Sequence, residues 1–158
     1  MRIAVVSDTH GDPWAIRECI EAAGKVDAWI HLGDNTRDTE ELQQTGVPVY
    51  AVRGNTDFGA IEPLEQVITL EGKRIFLCHG HLYAVGADPY RLNLKARELE
   101  CDAALFGHTH VPFLDESGHV TLMNPGSPSR PRQGSRRCMG FIRINGDDLD
   151  ASLRPLEP

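Results

Sequence analysis

Residues 2–12 read Arg-Ile-Ala-Val-Val-Ser-Asp-Thr-His-Gly-Asp, an apolar run that stops at a polar segment containing glycine. The run Arg2–Val6 is short and rich in β-branched residues, which predicts a buried strand. Pro13 suits the first turn of a helix, expected over about Trp14–Ala23 with Asp12 as its N-terminal cap. A buried strand that leads through a polar loop into a helix is typical of α/β proteins.

The same pattern of apolar run and polar loop recurs along the chain. The predicted strands are Arg2–Val6, Ala28–Leu32, Val47–Val52, Glu65–Leu70, Arg74–Cys78, Ala103–Phe106, Val111–Leu114, Val120–Met123, Met139–Ile144 and Leu149–Leu153. Two further helices are predicted around Thr39–Gln44 and Tyr90–Glu100. Alternating strands and helices indicate α/β layering, whereas the turn signals at Gly118 and 145–148 indicate antiparallel strands in the last third.

Composition is that of an ordinary globular chain. The 158 residues match one domain, which we predict to span 1–158. A hydrophobic content of 41% and a charged content of 25% argue against disorder. The 16 Lys and Arg against 23 Asp and Glu give a net charge of −7, which disfavours broad binding to nucleic acid or anionic membrane. No stable nucleic-acid or membrane partner is therefore expected.

The N-terminus does not read as a targeting signal. Ser7 interrupts the first apolar run before it reaches the roughly 7–15 residues of a secretory signal, and no stretch approaches the roughly 18 apolar residues of a membrane span. We therefore expect a cytoplasmic location. A homo-oligomer is left open, because no stretch identifies an interface.

The cysteines favour neither a zinc ribbon nor a disulfide framework. They are Cys19, Cys78, Cys101 and Cys138, with no C-x-x-C pair among them. Widely spaced cysteines in a chain of this size and context are expected to be free and mostly buried thiols.

Five of the predicted strands end in a cluster that combines glycine with Asp, Asn or His. Ligands of layered α/β proteins bind in loops beyond the carboxyl ends of strands, so these clusters are expected to meet at one edge. Their candidate ligands are Asp8, His10, Asp34, Asn55, His79, His108 and His110. On a continuing strand, residues i and i+2 share a face, which would bring Asp8 and His10 to one region. Oxygen and imidazole donors suit Mn, Fe, Zn or Ni, and seven are too many for one tetrahedral zinc ion.

The order of these motifs resembles that of the calcineurin-like metallophosphoesterases, in particular their small prokaryotic YfcE-like phosphodiesterase branch. The motifs are Asp8-Thr9-His10, Gly33-Asp34, Gly54-Asn55, His79-Gly80-His81, Gly107-His108-Thr109-His110 and Asn124-Pro125-Gly126-Ser127. The resemblance covers nearly the whole chain. It implies an α/β fold, a four-layer α-β-β-α sandwich with two mixed β-sheets.

The resemblance also implies a site for two divalent ions, with Mn as the first expectation and Fe, Ni or Zn as alternatives. One ion would be bound by Asp8, His10, Asp34 and His110, and the second by Asp34, Asn55, His79 and His108. The implied reaction is hydrolysis of a phosphate ester, on a small-molecule or nucleotide-type substrate, by a water or hydroxide that both ions activate. A phosphodiesterase is the first expectation. The alternatives are a phosphomonoesterase using the same site and a protein-binding scaffold or regulator that retains the metals.

The chain departs from the family pattern after the Gly-Asn pair. Many members carry His at that position, where it can act on the leaving group, whereas here Thr56 is followed by Asp57. Threonine is not a strong acid at neutral pH, so esters with poor leaving groups are expected to react inefficiently. The candidate catalytic residues are His10, His81 and Asn55. Asp57 is expected to orient a neighbouring imidazole.

The remaining polar and aromatic residues have structural explanations. His31 lies within an apolar strand and is expected to be buried and hydrogen-bonded. Trp14 and Trp29 are expected in the core. A basic cluster is formed by Arg130, Arg132, Arg136 and Arg137. Arginine can grip phosphate through two hydrogen bonds, but a solvated loop or a subunit contact is the stronger expectation.

Overall fold

A computed structural model describes residues 1–157. The strands are β1 Arg2–Val6, β2 Ala28–His31, β3 Val49–Ala51, β4 Glu65–Leu70, β5 Lys73–Cys78, β6 Ala103–Leu105, β7 Phe113–Asp115, β8 Thr121–Asn124, β9 Cys138–Asn145 and β10 Asp148–Pro155. The helices are α1 Pro13–Ala23, α2 Thr39–Gln43 and α3 Arg91–Glu98, with a 3₁₀ turn at Thr36–Asp38. Each predicted strand is present, and no strand end is shifted by more than two residues.

The strands form two mixed sheets. The first has the order β10-β9-β1-β2-β3, with β1, β2 and β3 parallel and β9 antiparallel to both of its neighbours. The second has the order β4-β5-β6-β8-β7, with β5, β6 and β8 parallel and an antiparallel strand at each edge.

The expectation of antiparallel strands throughout the last third is wrong for β8. This strand is antiparallel to β7 but parallel to β6, where Leu105 pairs with Met123. The chain reverses after β6, runs back along the sheet edge as β7, and inserts β8 between the two. The local turn signal identifies only one of the two neighbours of a strand, which is why the parallel pairing was missed.

Alternating side chains divide the core into three hydrophobic clusters. Along β1, Ile3 and Val5 pack between the two sheets, whereas Ala4 and Val6 face the opposite way toward α1. Leu42 of α2 joins the outer cluster of the first sheet, and Leu92 of α3 joins that of the second. The four-layer α-β-β-α sandwich is thus confirmed.

Helix α1 confirms one expectation and corrects another. Asp12 caps it, since its Oδ1 accepts hydrogen bonds from the backbone N–H groups of Trp14 (3.0 Å) and Ala15 (3.2 Å). Trp14 is not a core residue: it is 71% exposed, and it lies beside Arg17 on the solvent face of the helix. The large apolar side chain alone suggested burial, but its position falls outside the buried stripe. Trp29 is 1% exposed, as expected.

All four cysteines are free and buried, in agreement with the sequence-based expectation. Within the part of the chain that the structure describes, every helix is too short or too polar to cross a membrane.

Candidate metal centre

The loops after β1, β2, β3, β5 and β6 meet at one edge of the two sheets. Backbone hydrogen bonds join them in pairs: the Asp8 N–H donates to the Gly33 carbonyl (2.9 Å), and the Gly107 N–H donates to the His79 carbonyl (2.8 Å). The His79 imidazole bridges the sheets, because its Nδ1 donates to the Leu32 carbonyl at 2.7 Å. All the predicted ligand residues lie on these loops.

Four of them form a compact group, and each offers one donor atom. The donor atoms of Asp8, His10, Asp34 and His110 all lie within 4.8 Å of one another. Nε2 of His110 is 3.2 Å from Oδ1 of Asp8 and 3.2 Å from Nε2 of His10. This group matches the set predicted for the first ion.

The set predicted for the second ion is connected through Asp34. Oδ2 of Asp34 lies 3.4 Å from Nε2 of His79, and Nδ1 of His108 lies 3.1 Å from Oδ1 of Asn55. The ring centroids of His79 and His108 are 5.2 Å apart. Asp34 therefore stands between the two groups, where a shared ligand is needed.

Two buried polar atoms support a cation at this position. Oδ1 of Asp8 and Nε2 of His79 are 3.7 Å apart, and neither has a hydrogen-bond partner among residues 1–157. An unpaired buried polar atom costs about 1–3 kcal/mol, so orphans are rare unless an ion or water satisfies them. Carboxylate, amide and imidazole donors also suit a divalent transition metal. The residues present thus fit the metals that the sequence implies.

Neighbouring groups orient the ligand atoms. Nδ1 of His110 donates to the Arg130 carbonyl at 2.6 Å, so Nε2 of this ring faces the group as a lone pair, as it does in His79. Oδ2 of Asp8 accepts from the Ser7 hydroxyl (2.7 Å) and the His108 N–H (2.9 Å), which leaves Oδ1 free. Each side chain therefore has one satisfied atom and one atom available to an ion.

The backbone of the ligand loops is unusual. Positive φ angles occur at Asp8 (56°), His10 (51°), Asp34 (58°), His108 (72°) and His110 (61°). Residues with side chains rarely adopt this left-handed conformation, and it concentrates at functional sites. Asp8 and His10 do lie together, as expected, but strand alternation is not the reason. Both residues follow the end of β1, and their left-handed backbone turns the two side chains toward the group.

Burial and neighbouring charges shift the pKa values of the titratable groups. Burial opposes ionisation of Asp34, but the nearby His79 imidazole and the hydrogen bond from the Thr56 N–H outweigh it and lower the pKa. For His79, burial is outweighed by the two carboxylates, which raise the pKa. Burial lowers the pKa values of His10 and His108, with smaller contributions from the guanidinium groups of nearby arginines. Those arginines are Arg130 for His10 and Arg132 for His108.

The predicted catalytic residues lie at or beside the same groups. His10 belongs to the first group and Asn55 to the second. The ring centroid of His81 lies 5.6 Å from that of His79, and Nδ1 of His81 is buried without a partner in the described range. Burial lowers the pKa of His81, and the neighbouring histidines add to this effect.

Asp57 does not orient an imidazole, which corrects the sequence-based expectation. Its carboxylate accepts hydrogen bonds from four backbone N–H groups, those of Asp34 (2.8 Å), Asn35 (2.8 Å), Thr36 (3.0 Å) and Gly54 (2.8 Å). Asp57 therefore ties the loop after β2 to the loop after β3. The sequence alone could not assign these partners, because three of them lie 21 to 23 residues away.

Two residues hold the ligand loops in place through hydrogen bonds that the sequence did not predict. The Ser127 hydroxyl donates to the Asp8 carbonyl (2.8 Å), and Nδ2 of Asn124 donates to the Gly107 carbonyl (3.1 Å). Both residues belong to the segment 124–127, which is one of the motifs that carry the family resemblance. His31 is fully buried between the Thr9 hydroxyl and the Gly33 N–H, as expected.

The arginines of the basic cluster have different surroundings. Arg137 forms an ion pair with Glu18 of α1 at 2.8 Å, which holds the loop against that helix. Arg130 and Arg132 are exposed, and their charges act on the candidate ligands.

Comparisons with known proteins agree with this geometry. Residues 1–147 match the calcineurin-like phosphoesterase superfamily domain. A probable metallophosphoesterase of Methanothermobacter thermautotrophicus is 38% identical over 97% of this chain and 91% of its own length. The phosphodiesterase YfcE of Escherichia coli is 32% identical over 90% of this chain and 87% of its own length.

Solved structures show the same fold. A predicted phosphoesterase from Streptococcus pneumoniae superimposes with a TM-score of 0.81 at 30% identity, covering 99% of this chain and 92% of its own. Vps29 of Entamoeba histolytica in complex with Zn²⁺ gives a TM-score of 0.80 at 21% identity, covering 99% and 98%. The family match spans most of the chain and the ligand loops occur in the family's order, so the protein belongs to the calcineurin-like phosphoesterase superfamily.

Proposed function

We propose that this protein is a phosphodiesterase that works with two divalent ions, Mn²⁺ being the first choice and Fe, Ni or Zn the alternatives. The observation that carries the proposal is the pair of buried, unpartnered atoms, Oδ1 of Asp8 and Nε2 of His79, within converging carboxylates and imidazoles. Buried polar atoms without partners are rare in folded proteins, and three of those found in residues 1–157, on Asp8, His79 and His81, lie at this site.

The ligands would divide between the two ions with Asp34 in common. Asp8, His10, Asp34 and His110 would hold one ion, and Asp34, Asn55, His79 and His108 the other. Bound divalent ions supply Lewis acidity toward phosphate oxygens and a water activated as nucleophile near neutral pH. The two aspartates bring only two negative charges, so a site with both ions keeps the positive charge that an anionic ester needs.

The protein's own residues would then contact the ester and affect which esters react fastest. His81 has a free Nδ1 beside the second group and is proposed to contact the ester. Thr56 contributes its backbone N–H to Oδ1 of Asp34 (3.1 Å) and brings no acid to the leaving group. We therefore expect esters with good leaving groups to react fastest, since acid catalysis contributes about 10²–10⁴-fold where it is present.

Support for a diester substrate comes from the E. coli relative that is named a phosphodiesterase. A phosphomonoesterase using the same ligands, and a scaffold or regulator that keeps the metals, are the competing functions. The similarity to Vps29 is one of fold and favours neither of them.

The proposal is tested by loading chelator-treated protein with Mn²⁺ and assaying bis(p-nitrophenyl) phosphate beside p-nitrophenyl phosphate. We expect the diester to be hydrolysed faster than the monoester. Elemental analysis should find two ions bound per protein chain. Asp34→Asn and His79→Ala should each lower kcat/KM by at least about 100-fold, because even residues that only orient metal ligands cost 10–100-fold. His119→Ala is the matched control, since His119 is exposed in a turn between β7 and β8.

Two other outcomes would each favour a competing function, and a third would overturn the assignment of the ligands. Faster hydrolysis of the monoester makes the protein a phosphomonoesterase. Two bound ions without turnover of either ester point to a scaffold or regulator. Failure to bind any divalent ion would falsify the assignment of the ligands.

A further inference from the structure

A cleft of about 690 Å³ adjoins the candidate metal centre. His10 is common to the cleft and to the compact ligand group, so the cleft opens directly onto that group. One wall comes from the segment 35–43 and the other from the loop 56–62. Its volume falls within the range of small-molecule sites, roughly 300–1,000 Å³.

The loop wall presents two large apolar side chains to solvent. Phe58 is 92% exposed and Ile61 is 97% exposed, and both line the cleft. The opposite wall is polar, with Thr36, Thr39 and Gln43 among its residues. An aromatic face opposite hydrogen-bonding groups suits a planar ligand with polar edges.

Asp57 anchors this loop to the ligand loops. Its carboxylate binds the backbone of Asp34 and Gly54, and the Ala60 N–H donates to its carbonyl at 3.2 Å. The guanidinium of Arg53 also donates to the Ala60 carbonyl at 3.3 Å. Phe58 is therefore held beside the candidate metal centre by the residues that shape that centre.

The charges of the cleft disfavour a second anionic group. Its lining includes one cation, Arg37, and three acids, of which Glu40 is exposed and Asp57 and Glu62 are partly buried. The arginines whose charges act on the candidate ligands, Arg130 and Arg132, do not belong to the lining described for residues 1–157. A phosphate would thus be drawn to the metals, and an uncharged substituent would suit the cleft.

We propose that this cleft binds one organic substituent of the diester, a nucleoside whose base stacks on Phe58. The inference rests on the proposed function and narrows its substrate class to nucleotide diesters. Base stacking on an aromatic side chain contributes about 1–3 kcal/mol, which corresponds to at least roughly a fivefold preference in affinity.

The test compares two diesters that share the p-nitrophenolate leaving group, p-nitrophenyl thymidine-5′-phosphate and methyl p-nitrophenyl phosphate. With Mn²⁺-loaded protein we expect the nucleoside ester to have the higher kcat/KM by about tenfold. Phe58→Ala should bring the ratio of the two kcat/KM values close to one, and Phe58→Trp should retain it. Leu94→Ala is the control, because Leu94 is a large apolar residue, 64% exposed, on α3 in the opposite outer layer.

Binding separates this inference from the proposed function. Thymidine 5′-monophosphate is titrated into the Mn²⁺-loaded wild type and Phe58→Ala by calorimetry, and the variant should bind about tenfold more weakly. If diesters are hydrolysed but Phe58→Ala leaves the ratio unchanged, the inference is wrong and the proposed function stands. If neither diester is hydrolysed, the proposed function fails, and the titration alone tests nucleoside binding in the cleft. Weaker binding of thymidine 5′-monophosphate by Phe58→Ala would then support that binding. Equal binding by the wild type and the variant would overturn it.

Discussion

Asp57 has the most hydrogen bonds of any side chain near the candidate metal centre, yet it is not a predicted ligand. Its two carboxylate oxygens accept from four backbone N–H groups in two loops. Asn cannot replace this carboxylate, because one oxygen becomes an NH₂ group that faces two N–H donors. Asp57 is therefore a positioning residue for Asp34 and Asn55.

We predict that Asp57→Asn lowers the free energy of unfolding of the metal-free protein by about 1–3 kcal/mol, since it leaves partly buried donors without an acceptor. The variant should also bind Mn²⁺ more weakly, by about 10–100-fold. Urea denaturation and competition with a chromogenic chelator measure the two effects. Asp147→Asn, in the exposed β9–β10 turn, should change neither. Unchanged metal affinity in Asp57→Asn would contradict the positioning role.

The ligand loops pack against one another so closely that Gly54 and Gly107 have no room for a side chain. A Cβ on Gly54 would collide with the side chain of Asp34 and lie 2.7 Å from its backbone nitrogen. A Cβ on Gly107 would collide with the Ser7 hydroxyl and lie 2.7 Å from Oδ2 of Asp8. Glycine is thus needed here for close approach of the loops.

We predict that Gly54→Ala displaces Asp34 and abolishes Mn²⁺-dependent hydrolysis, with a loss of about 1–3 kcal/mol in the free energy of unfolding from overpacking. Gly118→Ala is the control, because a Cβ there meets no atom of residues 1–157 within 4 Å. Urea denaturation and the diester assay measure both variants. Wild-type hydrolysis by Gly54→Ala would show that the loops can separate without loss of the site.

The layers of the whole molecule bury the four cysteines in different places. Cys19 lies in the cluster under α1, and Cys78 and Cys101 lie in the cluster under α3. Burial raises the pKa of Cys19 to about 12, and it also raises the pKa values of the other three thiols. Thiols with raised pKa values stay protonated and react slowly.

We predict that a thiol reagent at about pH 8 labels the native protein far more slowly than the denatured protein, because the thiolate is the reactive form. The number of thiols labelled over time, read from absorbance, measures this difference. Ser152→Cys provides an exposed thiol on β10 and should be labelled at once. Fast labelling of native wild type would mean that one of the outer layers opens readily.

The sequence by itself determined the order and type of most elements and the identity of the candidate donors. Apolar runs such as Arg2–Val6 identify strands because side-chain alternation and burial are local properties. The clusters from Asp8 to His110 could be recognised in the sequence, because five strands end in residues that suit a metal site and do not suit a hydrophobic core.

The tertiary structure alone decided how those donors meet. The left-handed backbone at Asp8 and Asp34, the hydrogen bonds of Asp57 and the parallel pairing of β8 all depend on distant parts of the chain. A local pattern records which way a residue faces on its own strand or helix. It does not record which loop packs against it, because that contact is made between residues far apart in sequence, and its geometry is set by the packing of the two sheets.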